Sequence, residues 1–522
     1  MGKNRGVKGV NVGNWATRRA VFPHTKDKTA FVCGERSLTY SEFNRRVNRV
    51  ANGLLEGGLR KGDRVAVLFF NSTEFMEVYF ACAKGGFIFI PLNFRLTPKE
   101  LQGIFEDTGP RAFFFHPEFA GTVEGLRELY RRPIEVLAAA GDPVPDFCLS
   151  YEEWTAGFSE EEPEVPEPPD MEDPQMIMYT SGTTGRAKGA VLPHRKTFWN
   201  TFNDTLELLF DMSAVSLVSI PLFHSGGLNI ITMPTFYIGG TIIFQRFWNP
   251  EEALQLIERH RVTHFGAVPT MLQMMLDVPS FSRYDLSSLR GVGIGGAPAS
   301  RELLERIVER IKAPYLIQVF GCTETSIVLS CSNMEKIGSA GIPMFHSEVR
   351  VLKDDGTEVK PGSGEVGEIC TRGPYVMLGY WNLPEETAEA LRDGWFHFGD
   401  LATVDEDGYV YVVDRKKDMI ISGGENIYPA EVEKVLAEHP KVRDVAVIGM
   451  PDEKWGEVGH ALILLEDPED PLSLEEMEAF CQGKLARYKI PKKITFVDSI
   501  PRTLTGKILK KELRRLYGGS GA

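Results

Sequence analysis

Apolar residues recur at helical spacing over Phe43, Val47, Val50, Ala51 and Leu54, and the run 65–70 that follows is almost wholly apolar. This is the pattern of an amphipathic helix leading into a buried strand. The alternation continues with a helix pattern from Thr73, a strand over 87–90, a helix over 97–105 and a strand over 112–115. Strands and helices in turn predict a mainly parallel sheet covered by helices on both faces. At 152–174 the pattern breaks, and the run EEPEVPEPPDMEDP predicts a solvated linker. It resumes from Gln175 to about Ser330, then changes over 338–413 to short glycine-punctuated runs that predict antiparallel strands. The last hundred or so residues predict a separate small α+β unit, with a helix over 430–438 and strands over 445–448 and 461–465. Within it, Ser473 and Glu476 predict a capping box. The run 216–244 is apolar enough to consider as a membrane span, but Pro221, Gly226, Gly227, Pro234, Gly239 and Gly240 divide it into short buried pieces.

Composition narrows this picture. A chain of 522 residues exceeds one ordinary core, so at least two domains are expected. A formal charge of −14 argues against a sequence-independent nucleic-acid binder, while leaving room for a local phosphate loop. The seven cysteines are scattered without a CxxC pair, which predicts reduced thiols, a cytoplasmic location and no zinc site. The first residues lack the apolar segment of a signal peptide.

The candidate chemistry begins at YTSGTTGRAKG, residues 179–189, which leaves an apolar run and enters a loop. Three glycines allow close backbone approach to an anion. Thr180, Ser181, Thr183 and Thr184 add hydroxyl donors around Gly182 and Gly185, and Lys188 adds a cation, so the loop suits a polyphosphate. It is not a Walker A loop, because Lys188 stands between Ala187 and Gly189. The run GVGIGG at 291–296 satisfies GxGxxG, but the next strand, over 315–320, ends in Gly321-Cys-Thr-Glu324 rather than in the acidic residue that a dinucleotide site requires.

YTSGTTGRAKG resembles the phosphate-loop signature of the adenylate-forming superfamily of acyl-CoA synthetases, luciferases and peptide-synthetase adenylation domains. The likeness runs from PLNFRLT at 91–97 to TGK at 505–507 and is nearest to long-chain fatty-acid–CoA ligases. It implies an α/β fold in which a large N-terminal domain, 1–416, has doubly wound parallel sheets plus a small β-barrel-like part. A small mobile α+β C-terminal domain, 417–522, would follow, hinged at Lys417. It implies ATP, Mg²⁺ and coenzyme A as co-substrates and cofactor, acyl-AMP as intermediate, and a medium- to long-chain fatty acid as substrate, with aromatic or short-chain acids as the alternative.

The same resemblance distributes roles. Gly295, Gly296, Ala297 and Pro298 would line the adenine and acyl side. Phe320, in FGCTET, would stack on adenine beside Gly321, Thr323 would bond the α-phosphate, and Glu324 with Thr184 would hold Mg²⁺. The family commonly has Tyr at the place of Phe320 and Thr at that of Phe398. His224, in PLFH, would gate an acyl pocket that includes Gly226, Gly295 and Cys322. Asp400 and Arg415 would hold the ribose, and Lys507 would bridge the attacking carboxylate and the α-phosphate. Gly423 and Gly424 would line the passage for CoA. Lys510, Lys511, Arg514 and Arg515 read as the polar face of the last helix, with a weak peripheral membrane contact and a homodimer as further partner expectations. Three rivals remain: a sibling enzyme that loads a carrier protein or oxidises its adenylate, a catalytically silent acyl or nucleotide binder, and a dinucleotide oxidoreductase weakened by the missing acid.

Overall fold

The computed structural model describes residues 11–180, 187–423, 425–502 and 506–518. Its first sheet orders the strands Gly379–Tyr380, Lys188–Pro193, Pro174–Thr180, Ile88–Pro91, Arg64–Leu68, Ala112–Phe115, Val136–Ala139 and Leu149–Ser150. From Pro174–Thr180 onward neighbours are parallel, and the first two strands pair antiparallel. A second sheet of nine strands carries a parallel centre through Thr29–Cys33, Thr241–Phe244, Val215–Val218, His264–Ala267, Gly291–Ile294 and Tyr315–Cys322.

Alternate residues of these strands enter different layers. Val65, Val67 and Phe89 face a central core shared with the second sheet and with the helices Tyr40–Glu56 and Thr73–Gly85. Ala66, Leu68 and Ile90 face the outer helices Pro98–Thr108 and Ala120–Leu129. The second sheet's far face packs on Pro250–His260, Pro269–Leu276 and Arg301–Ile311. Strands buried on both faces explain why they read as continuous apolar runs instead of alternating ones. The helices start where their caps dictate: Thr39 with Glu42 and Thr97 with Glu100 form complete capping boxes.

Over 338–413 the expected antiparallel strands form, with Glu348–Leu352, Gly367–Arg372, Trp395–Val404 and Val410–Arg415 in one small curled sheet. The last unit packs Pro429–Leu436 and Leu474–Cys481 on one face of a sheet built on Val442–Asp452 and Gly456–Leu465, and the helix Lys510–Tyr517 on the other. No helix among the described residues is long and apolar enough to cross a membrane, and 216–244 divides into two strands, a π-helical turn and a short helix. The seven cysteines form no disulfide.

Three local expectations are corrected. The stretch read as a solvated linker is anchored: Glu162 accepts from the buried Lys84 at 2.7 Å and from Asn44 at 2.8 Å. The Ser473 hydroxyl accepts from the Glu476 N–H, but the Glu476 carboxylate pairs with Lys441 at 3.1 Å, so half of that capping box forms. The last helix is not simply a solvated basic face, since Lys510 is buried against Glu433 at 2.9 Å and Arg514 pairs with Asp418 at 2.9 Å.

Candidate active site

The strands Tyr315–Cys322 and Ser326–Cys331 form an antiparallel hairpin whose turn carries Thr323 and Glu324. A β-carbon on Gly321 would stand 1.9 Å from the Ser326 carbonyl oxygen, so only glycine fits there. Ser326 adopts φ +62°, a left-handed conformation. Its hydroxyl accepts at 2.5 Å from Lys196, which is buried on the helix His194–Glu207. Burial lowers the Lys196 amine to about 8 against the opposing fields of Cys322, Asp204 and Glu324.

Glu324 is buried at the turn and accepts from the Tyr380 hydroxyl at 2.8 Å. Burial and this carboxylate drive the Tyr380 phenol far above its usual range. Lys188 Nζ lies 5.2 Å from the Tyr380 ring centroid, a cation–π contact. Thr180 and Lys188 are paired across their strands, with the Thr180 hydroxyl donating to the Lys188 carbonyl at 3.4 Å. The two ends of the phosphate-loop segment thus lie together beside Glu324. Ser181, Gly182, Thr183, Thr184 and Gly185 lie outside the described residues. The other end of this corner is held by Asp107, which accepts from Tyr179 at 2.6 Å, while its carbonyl accepts from Trp381 at 3.1 Å.

Across the cleft, Phe320 packs against Phe398 with ring centroids 5.2 Å apart. Gly296, at φ +83°, turns the chain after the strand Gly291–Ile294 into Ala297 and Pro298. Asp400 and Arg415 face each other on paired strands, Oδ1 to Nε 3.1 Å. Burial raises the Asp400 carboxyl, opposed by Arg415 and then Lys507. The loop bearing Lys507 reaches this side: a β-carbon on Gly506 would lie 3.5 Å from Thr270 Cγ2 and 4.0 Å from Ala297 Cβ. The Lys507 amine is lowered by burial and then by Arg415, while Asp400, Cys322 and Glu324 hold it up. Although the residue is exposed to solvent overall, its amine lies close enough to one guanidinium and two carboxylates to feel Arg415, Asp400 and Glu324 together.

His224 lies just before the π-helical turn Gly226–Thr232, its ring 4.3 Å from that of Phe223 and its Nε2 buried without a hydrogen-bond partner. Burial, followed by Arg95, lowers it to about 4, so the imidazole is neutral near pH 7. Gly226 opens the π-helical turn Gly226–Thr232. Gly266 and Gly293 sit opposite each other on parallel strands, and a β-carbon on Gly293 would meet only the Gly266 Cα, at 3.8 Å. Gly295 is hemmed by Val319, 2.6 Å from its notional β-carbon. The Cys322 thiol is pushed well up by burial and then by Glu324, and it lies 3.5 Å from the Thr325 hydroxyl, a wall group and not a nucleophile.

Lys417 lies in the turn Lys416–Asp418, its amine lowered by burial. Gly423, at φ +60°, donates its N–H to the Trp455 carbonyl at 2.7 Å, and a β-carbon there would stand 2.7 Å from the Trp455 ring. Gly424 lies outside the described residues. Sequence reasoning missed Tyr380, Lys196, Asp107 and Trp455; no local pattern marks them, because each acts on a partner at least 30 positions away.

Among the described residues, no group of three or more His, Cys, Asp and Glu could hold a metal ion. The single buried carboxylate of Glu324, near Lys188 through Tyr380, nevertheless fits Mg²⁺, which takes one or two carboxylates and draws its other ligands from phosphates and water.

Comparison with known proteins agrees with this arrangement. Residues 18–381 match the family model of AMP-binding enzymes, and residues 431–507 match that of the AMP-binding enzyme C-terminal domain. A feruloyl-CoA synthase of Amycolatopsis sp is 44% identical over 519 residues, covering 98% of this chain and 100% of the relative. A long-chain-fatty-acid–CoA ligase of Mycobacterium tuberculosis is 36% identical over 489 residues, covering 92% and 94%. The solved o-succinylbenzoate–CoA synthetase of Bacillus subtilis, in complex with ATP and magnesium ion, superposes with a TM-score of 0.83 at 32% identity, covering 96% of this chain and 99% of that one. The chain belongs to the AMP-binding enzyme family and is an ATP-dependent enzyme of the acid–CoA ligase type.

Proposed function

We propose that this enzyme joins an aryl carboxylic acid to CoA through an acyl-adenylate, with Lys507 as the residue that makes adenylation work. The observation that carries the reading is the convergence on the Lys507 amine of the Asp400–Arg415 pair and of Glu324, with the loop that bears it beside Thr270 and Ala297. The acid's carboxylate attacks the α-phosphate of ATP, the bond to the β-phosphate breaks, and pyrophosphate leaves. Lys507 lies where it can neutralise both anions, so catalysis rests on charge and position without a protein nucleophile. Thr180, Ser181, Gly182, Thr183, Thr184, Gly185 and Lys188 wrap the triphosphate, and Thr323 bonds the α-phosphate. Phe320, backed by Phe398, stacks on adenine, while Asp400 and Arg415 hold the ribose. Glu324 and Thr184 would hold Mg²⁺, which would supply charge neutralisation of the phosphate oxygens. Neutral His224 gates the acid pocket without adding charge. Residues 417–522 then swing as a unit about Lys417, withdrawing Lys507 and bringing Gly423 and Gly424 to the CoA passage, where the thiol displaces AMP.

For the acid, a flat ring is favoured over the fatty chain expected from sequence. A β-carbon on Gly293 would meet only the Gly266 Cα, at 3.8 Å, while the Ile231 side chain packs over Gly266, leaving a narrow opening over Gly293 that suits the edge of a planar group. The relative that matches at 44% is named for an aryl acid, and the one named for long-chain acids matches at 36%. The test is acid-dependent exchange of labelled pyrophosphate into ATP over aryl and fatty acids, with CoA consumption read in parallel. Exchange should be greatest with aryl acids. Lys507→Ala should lose at least ~100-fold in exchange, yet form thioester from supplied acyl-AMP within a few-fold of wild type. Strongest exchange with fatty acids overturns the choice of acid; equal loss of both half-reactions overturns the role of Lys507.

A further inference from the structure

The strand Trp395–Val404 does not run straight past its neighbour Gly367–Arg372. Glu368 pairs with Leu401 and Cys370 with His397, so Phe398, Gly399 and Asp400 stand opposite Ile369 alone. This bulge places Phe398 against Phe320 and turns Asp400 to Arg415. A bulge leaves backbone groups without ladder partners, and something must hold them. Gly399 sits at φ +71°, and its N–H donates to Glu368 Oε1 at 3.2 Å.

The other oxygen of the same carboxylate gathers three basic side chains. Glu368 Oε2 lies 2.9 Å from Arg392, 3.2 Å from His397 Nδ1 and 3.5 Å from Lys416 Nζ. The side chain is 8% exposed, so these contacts are poorly screened. Gly399 precedes Asp400 and Lys416 follows Arg415. One buried carboxylate therefore holds a chain neighbour of each member of the ribose pair.

We propose that Glu368 is a positioning residue for nucleotide recognition: it holds the bulge open, so that Asp400 and Arg415 meet the ribose hydroxyls and Phe398 stays against Phe320. This rests on the reading that Asp400 binds ribose. A straightened ladder would offer the 398–400 backbone groups ordinary strand partners and would swing Asp400 off the ribose without touching the triphosphate site.

The test compares kcat/KM for ATP and for 3′-deoxy-ATP in wild type, Glu368→Gln and Glu368→Met. Glutamine keeps an oxygen for the Gly399 N–H but loses the charge; methionine loses both. The preference for ATP is expected to fall about tenfold in Glu368→Met and by less in Glu368→Gln, with KM for CoA unchanged. A parallel loss for both nucleotides at constant preference means general damage and overturns the proposal, as does wild-type preference in either variant. Should Glu368→Met fail to fold, Glu368→Gln decides alone, since a falling preference there supports the role and an unchanged one overturns it. Absence of any ribose preference in wild type refutes the reading of Asp400 instead, a result distinguishable from failure of Glu368.

Discussion

The side chains that place Glu324 come from far away in sequence. Its partner Tyr380 lies 56 positions on, and Lys196, which holds the hairpin through Ser326, lies 130 positions before that serine. Tyr380→Phe removes one hydrogen bond to a carboxylate while keeping the ring beneath Lys188. Bonds to charged groups contribute about 1.5–3 kcal/mol, so kcat/KM for ATP should fall roughly 10- to 100-fold. If Glu324 works through Mg²⁺, the loss should shrink as Mg²⁺ is raised in the exchange assay. A loss insensitive to Mg²⁺ would separate Tyr380 from the metal.

At the scale of elements, the helix Pro98–Thr108 supports the corner of Tyr179, Trp381 and Asn382 from outside. Its N-terminus is set by the Thr97–Glu100 capping box, and near its C-terminus Asp107 gathers Tyr179, Trp381 and Asn382. These residues flank the phosphate-loop segment and Tyr380, so the helix ties both to one rigid rod. Asp107→Ala is expected to raise KM for ATP several-fold and leave KM for CoA unchanged, read by steady-state kinetics. Thr97→Ala, at the far end of the same helix, should cost about 1 kcal/mol in stability and leave both KM values alone.

At the scale of the whole molecule, five histidines are buried as neutral rings. Burial is the largest cause in each, lowering His116 to about 3 and His194, His224, His264 and His460 to about 4. In the unfolded chain they titrate near 6.5. Between pH 6.5 and 4 the unfolded state therefore binds protons that the folded state does not, and stability falls as pH falls through that window. The thermal midpoint should drop steeply from pH 7 to pH 5. His194 is wholly buried, with Nε2 unpartnered, and contributes about 2 kcal/mol of that loss by pH 5. His194→Asn should make the drop shallower, whatever it does to stability at pH 7; an unchanged slope would remove this histidine from the acid response.

Periodicity alone determined the layered α/β core, because strands buried on both faces and amphipathic helices leave patterns within ten residues, as at 65–70 and 43–54. The candidate loop at 179–189 and the candidate residues Glu324, Asp400, Arg415 and Lys507 could be singled out from the sequence because they sit in short contiguous motifs. The anchoring of the 152–174 stretch by Lys84 was not legible, since a run of glutamates reads the same whether it meets water or a buried amine. Nor was the acid legible: Gly266, Gly293 and the Ile231 side chain that packs over Gly266 become neighbours only when two parallel strands pair. The tertiary structure decided which strand lies beside which, and with it that Glu368 holds the backbone before Asp400, that Tyr380 meets Glu324 and that Lys507 enters the site. Such contacts depend on sheet order and on one bulge, and neither has a spacing that a linear pattern can carry.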